Sequence, residues 1–179
     1  MALTSLIVSY DSSWTYKFEI EKSLLLKILS EDAMSIHHVG STSVKGLIAK
    51  PEIDILFVIK PTSNLQHLSS LLVSLGYDHR GEEPGNSGHW YFSKNQQGKR
   101  THKLHMCIEG HHCIEEQIIF RDYLRNNLST AKKYADLKLK LERENKTGIM
   151  EYISGKEFFI IETLTTAKAE GYSYVTMDY

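Results

Sequence analysis

The stretch His37–Phe57, H-H-V-G-S-T-S-V-K-G-L-I-A-K-P-E-I-D-I-L-F, decides how the rest of the chain is read. It begins at the end of an apolar run, Met34–Val39, which breaks at Gly40-Ser41-Thr42-Ser43. After Lys50-Pro51 comes E-I-D-I-L-F-V-I, Glu52–Ile59, whose β-branched content predicts a strand. Successive strand side chains point to opposite faces, so Glu52 and Asp54 share one face and Ile53, Ile55 and Phe57 the other. Two carboxylates on an open face, preceded by a Gly-Ser-Thr turn, suit a divalent cation held against a polyphosphate. Mg²⁺ takes oxygen ligands, usually one or two protein carboxylates plus substrate phosphates. The turn offers backbone N–H groups and hydroxyls to phosphate oxygens. Each fragment also has a plainer reading. Gly-Ser-Thr suits a strand-to-helix turn with Ser or Thr as N-cap, and Glu-Ile-Asp suits the solvated face of an edge strand. Their spacing, with Ser41 one short helical turn ahead of Asp54, favours a site.

The chain has 179 residues, a length that suits one domain with a single core. Its net charge of −1 argues against a constitutive nucleic-acid partner, which needs a strongly basic surface. No apolar run reaches the roughly 18 residues of a membrane span, and the N-terminus has no basic region of the signal-peptide kind. The two cysteines, Cys107 and Cys113, make neither a disulfide framework nor a metal signature. Together these features predict a cytoplasmic protein with no membrane partner.

Outward from the central stretch, Leu6-Ile7-Val8 reads as a short strand or an extended lead-in. Asp11, Ser12 and Ser13 offer N-caps for a helix from Trp14, with Trp14, Phe18, Glu21, Leu25 and Ile28 as its buried stripe. Gly46–Ala49 is expected as a helical turn ended by Pro51. Thr62 or Ser63 caps a helix lined by Leu65, Leu68, Leu72 and Leu75, and Gly76 sits where a C′ glycine belongs. Tyr77–Arg80 and His89–Ser93 read as strands flanking the loop Gly81–Gly88, which is either a connection or a lid. Gln96–Lys99 turns the chain into Arg100–Ile108, R-T-H-K-L-H-M-C-I. There Leu104, Met106 and Ile108 share the core face, and Lys103, His105 and Cys107 share the open face with Asp54. The remainder reads as helical: Glu115–Asn126, a run from Thr130 to about Asn145, and a last helix opened by the Ser154/Glu157 capping box and lined by Phe158, Ile161, Leu164 and Ala167.

With both segments in view, the chain resembles the GrpB-like family of the nucleotidyltransferase superfamily. The residues that carry the resemblance are H-V-G-S-T-S-V-K-G-L-I-A-K-P-E-I-D-I-L from His38 to Leu56, R-T-H-K-L-H-M from Arg100 to Met106, and F-R-D-Y-L-R from Phe120 to Arg125. Tyr10, Asp11, Trp14, Phe18, Glu19 and Lys156-x-Phe158 also fit. Lys45 departs from it, standing where proline is usual. The resemblance implies an α/β (α+β) single domain: a mixed sheet with helices packed against it, a core of about residues 1–110 and C-terminal helices over about 112–171. It also implies that Gly40-Ser41 holds a nucleotide's phosphates and that Glu52 and Asp54 hold metal. Active relatives add a third carboxylate on a later strand, and here the similar position is His105.

Three functional readings follow. The first is metal-dependent nucleotidyl or phosphoryl transfer from ATP or another nucleoside triphosphate. In it Glu52, Asp54 and His105 are catalytic and hold Mg²⁺ or Mn²⁺, with Zn²⁺ favoured by an imidazole ligand. Gly40, Ser41 and Thr42 cradle phosphates, and Lys50 and Arg100 neutralise their charge. The second is a non-catalytic nucleotide-binding or folding-helper module, of the kind fused to dephospho-CoA kinase. The third is a transition-metal hydrolase-like site of His105, Asp54 and His102 or His38. Arg121 and Arg125, one helical turn apart, face either phosphate or acidic neighbours such as Asp122. A homo-oligomer is compatible with all three.

Overall fold

The chain folds around one mixed five-stranded sheet, seen in a computed structural model that describes residues 7–82 and 85–174. The elements run α1 (Ser13–Leu29), β1 (Ala33–Val39), a 3₁₀ turn (Ser41–Ser43), β2 (Ile53–Ile59), α2 (Leu65–Ser74), β3 (Tyr77–Glu82), β4 (His89–Gln96), β5 (Lys99–Ile108), α3 (His112–Asn126), α4 (Leu128–Glu144) and α5 (Ile149–Ala169). The strand order is β1-β2-β5-β4-β3. The central pair β2–β5 is parallel and the other three pairs are antiparallel. The β4–β5 hairpin closes on Gln97 and Gly98, both at positive φ (51° and 73°), as a tight two-residue turn requires.

The strand parities come out as expected. Ile53, Ile55, Phe57 and Ile59 of β2 pack with Leu104 and Met106 of β5 under α1 and α2. The other face is not open. Leu56, Val58 and Cys107 are buried there against Cys113, Ile114 and Ile118 of α3, and α4 and α5 pack on α3 in turn. The sheet therefore lies between two helical layers, with α3 covering the carboxylate face over β1 and β2.

Several element boundaries differ from expectation. The stripe of α1 ends in Leu29 rather than Ile28, which is 40% exposed. The helical turn falls at Ser41–Ser43, before Gly46–Ala49, and Ala49 instead bridges to Val8. Leu6 lies outside the described residues. Asn64 caps α2 by accepting from the His67 N–H, in place of Thr62 or Ser63. The last helix starts at Ile149, five residues ahead of Ser154. Gly148 is the N-cap, and the Glu151 carboxylate accepts from the N–H groups of Lys146 and Thr147 in the segment just before it. Phe158 and Ile161 are 77% and 56% exposed, while Ala167 is buried as expected and Thr163 is buried beside it.

Candidate functional site

Gly40 breaks β1 with φ 67° and ψ −173°, a conformation open almost only to glycine. The turn it starts is fastened from several sides. The Thr42 hydroxyl donates to the Glu52 carbonyl (3.1 Å), so the 3.0 Å bond between Thr42 Oγ1 and His38 Nε2 has the imidazole as donor. His38 is stacked on Phe18, and burial, followed by repulsion from Arg125 and Arg121, pushes its pKa down to about 4. Arg125 donates twice to the Ser43 carbonyl (3.0 and 2.8 Å), and Arg121 donates to the His38 carbonyl (3.2 Å) while pairing with Asp122. These two arginines hold the backbone of the turn. Thr42 is likewise committed to the turn and is buried, so it offers no hydroxyl to a ligand.

The exposed end of the carboxylate face opens into a cleft of about 290 Å³ between the turn, β2 and β5 on one side and α4 and α5 on the other. Ser41, Thr42, Lys50, Glu52, Asp54 and Arg100 line it. Gly40 and His105 line an adjoining hollow that shares Ser41 and Asp54. Asp54 and Lys103 are register partners across the parallel pair, and His105 stands opposite Leu56, two positions further along. His105 is buried rather than open, and its Nδ1 meets Nε2 of His89 at 3.1 Å. His102 lies on the α1 face, 3.9 Å from Glu21, and His38 is held by Thr42. The histidines expected around Asp54 thus point to three different places.

The cleft is dominated by cations. Lys50, Arg100, Lys103, Lys138 and Lys156 line it against Glu52, Asp54 and Glu142. Lys50 and Arg100 pair with the two oxygens of Glu52, Arg100 at 2.8 Å. Burial raises the pKa of Asp54, against the pull of Lys103. Lys138 donates to Ser41 Oγ (2.9 Å) and to the Ile48 carbonyl, and its pKa is pushed down to about 7 by burial and then by Lys156. Burial lowers Lys156 as well. Lys138 falls four residues after the buried Tyr134, so it sits on the inward face of α4. That spacing was the available signal for it, masked by the alternating charges around it.

A two-metal site needs carboxylates that can hold ions about 3.5–4 Å apart. Here both Glu52 oxygens are taken by cations, which leaves Asp54 on β2 and Glu142 on α4 as the other carboxylates of the cleft. Nor do Glu52, Asp54 and His105 form a three-ligand set. Among the described residues, the group of three His, Cys, Asp or Glu side chains with ligand atoms within 4.8 Å of one another is His89, Cys107 and Cys113. The donors present do not fit a pair of Mg²⁺ or Mn²⁺ ions. The loop read as either a connection or a lid ends away from the cleft: Gly88 adjoins Ile108 and His111, at the other end of β5.

Residues 5–166 match the GrpB protein family. The chain belongs to the GrpB family. It is 36% identical to UPF0157 protein YqkA of Bacillus subtilis over 90% of its own length, and spans 47% of that relative. It is 32% identical to the glutamate-rich protein GrpB of Alkalihalophilus pseudofirmus, covering 89% of this chain and 93% of that one. The crystal structure of the conserved protein GrpB from Enterococcus faecalis superposes with a TM-score of 0.83 at 33% identity, covering 92% of this chain and 98% of that one. Chains of the Cid1 poly(U) polymerase superpose less closely, with a TM-score of 0.48 at 12% identity over 73% of this chain and 42% of that one. No helix among the described residues is long and apolar enough to cross a membrane.

Proposed function

We propose that this GrpB domain binds a phosphorylated anion of the nucleoside polyphosphate class in the cleft between the Gly40 turn and α4–α5. One observation carries the reading. Lys103, Lys138 and Lys156 converge on the Asp54 corner with too few carboxylates to balance them, while Lys50 and Arg100 are already shared with Glu52. Buried ammonium groups that lack counter-charge are stabilised by an incoming anion, and desolvation strengthens each such contact. The opposite wall carries Tyr152, Ile149 and Ile153, an apolar surface suited to a nucleoside. Lys103 and Lys156 hold the phosphates; Lys138, bonded to Ser41, fixes the turn and adds charge. In this reading the site binds without turnover, in a cytoplasm that supplies nucleotides.

Metal-dependent transfer, the activity that the resemblance implies, requires Glu52 to leave Lys50 and Arg100. A polyphosphate competing for those two cations is the one route the geometry offers.

Equilibrium titration with ATP, inorganic triphosphate and adenosine tests the reading. ATP is expected to bind more tightly than either fragment. Lys103→Gln is expected to weaken ATP by about 10-fold or more, the size of one charge-assisted hydrogen bond. Adenosine binding as tightly as ATP, or ATP affinity unchanged in Lys103→Gln, contradicts it.

A further inference from the structure

At the other end of β5 from the cleft, Cys107, Cys113 and His89 come together under α3. His89 begins β4 and is the register partner of Cys107 on β5. Cys113 arrives from the first turn of α3, after the short connection Glu109–His111. All three side chains are buried, His89 at 2%, Cys107 at 0% and Cys113 at 6% exposure. The two sulfurs are 2.9 Å apart, a thiol–thiol hydrogen bond. The His89 ring is oriented by its bond from Nε2 to His105 Nδ1 (3.1 Å).

We propose that Cys107, Cys113 and His89 form a binding site for one thiophilic metal ion, Zn²⁺ or Cu⁺. Two sulfurs and one imidazole within 4.8 Å are the donor set that such ions prefer, and Mg²⁺ and Ca²⁺ avoid it. The geometry needs little adjustment. At a Zn–S distance of about 2.3 Å, tetrahedral sulfurs stand about 3.8 Å apart, so the pair separates by under about 1 Å on loading. Ligation deprotonates the two thiols, and their protons leave to solvent. His105 is then the outer partner that fixes the tautomer and angle of His89, a positioning residue of the kind that metal-bound histidines use. This gives the buried His89–His105 pair a role that the anion cleft does not supply. Three protein donors leave a fourth position open in tetrahedral geometry. The ring of His111, whose Nδ1 accepts from the Cys113 N–H, stands 5.7 Å from that of His89.

Cobalt titration of the reduced, metal-free chain tests the site. Expected are a sulfur-to-cobalt charge-transfer band, visible bands of tetrahedral intensity, saturation at one ion per chain, and displacement by Zn²⁺. Cys113→Ser is expected to lose the charge-transfer intensity of one sulfur and more than about 100-fold in Zn²⁺ affinity. His105→Ala should lose about 10–100-fold while keeping the sulfur bands, as outer-shell changes do. Absence of the charge-transfer band in the wild-type chain overturns the proposal, and that outcome needs no variant to fold. Affinity unchanged in Cys113→Ser also overturns it. So does a reduced chain that takes up no metal but loses two hydrogens to oxidised glutathione, the signature of a plain disulfide pair.

Discussion

The carboxyl group of Asp54 lies directly over the Cα of Gly40: a Cβ at position 40 would stand 2.9 Å from both Cβ and Cγ of Asp54. The close approach and the positive φ of Gly40 are separate demands for glycine. Gly40→Ala therefore loses stability, about 1–3 kcal/mol from the backbone conformation alone, plus whatever it costs to displace Asp54. A Gly40→Ala/Asp54→Ala double mutant removes the second part and keeps the first. Chemical denaturation of the four chains is expected to show the double mutant more stable than the sum of the singles predicts. Additive losses would show that the contact has no energetic consequence.

Asp54 and Ile55 are neighbours in β2 with opposite duties. Ile55 is wholly buried in the α1–α2 core, and Ile55→Ala should cost about 2–5 kcal/mol. Burial raises the pKa of Asp54 above its ordinary 3.8, so the folded chain keeps a proton that the unfolded chain releases. Stability is then lost as pH rises from that ordinary value through the folded-state pKa. Asp54→Asn removes the loss. It should melt above wild type at neutral pH, with the difference gone in acid. A fall in Tm at neutral pH matching that of Ile55→Ala would make Asp54 a structural residue.

Four histidines act in the opposite sense. Burial, followed by repulsion from Arg121, pushes His37 down to about 4. Burial likewise brings His38 to about 4, lowers His102 and takes His105 well below its ordinary 6.5. Neutral in the folded chain and protonated in the unfolded one, they withdraw stability as pH falls from 6.5 toward their folded values. Thermal melts between neutral pH and about pH 4.5 should show a steep decline, shallower in His37→Gln. A flat profile over that interval would mean that these rings are hydrated in the native chain.

The sheet was legible because its signals are local. Period-two alternation fixed the faces of β2 and β5, and Gln97-Gly98 marked the hairpin. What covers each face is set by distant residues. The helices of a 179-residue chain must pack somewhere, and once α1 and α2 fill one side, α3 takes the other. That packing buries His105, which alternation had placed correctly on the Asp54 side. The same remoteness hid Lys138, 97 residues from the Ser41 that it bonds, and hid the place of Lys156 in the site, although Lys156 itself was among the residues that fit the family. It also hid the pairing of Glu52 with Arg100, since an alternating carboxylate reads the same whether a metal or a guanidinium answers it. Cys107 and Cys113 lacked the spacing of a known motif, and His89 joins them only through the β4–β5 register.

The central claim is that cations of the chain, rather than a resident metal, hold the ligand's phosphates. Calorimetric titration of ATP into the wild-type chain, once in EDTA and once in excess Mg²⁺, tests it most directly. The account predicts saturable binding in EDTA, weakened by salt as ion-paired contacts are, with affinity no better in Mg²⁺. Binding that appears only when Mg²⁺ is present, or none at millimolar ATP in either condition, would contradict it.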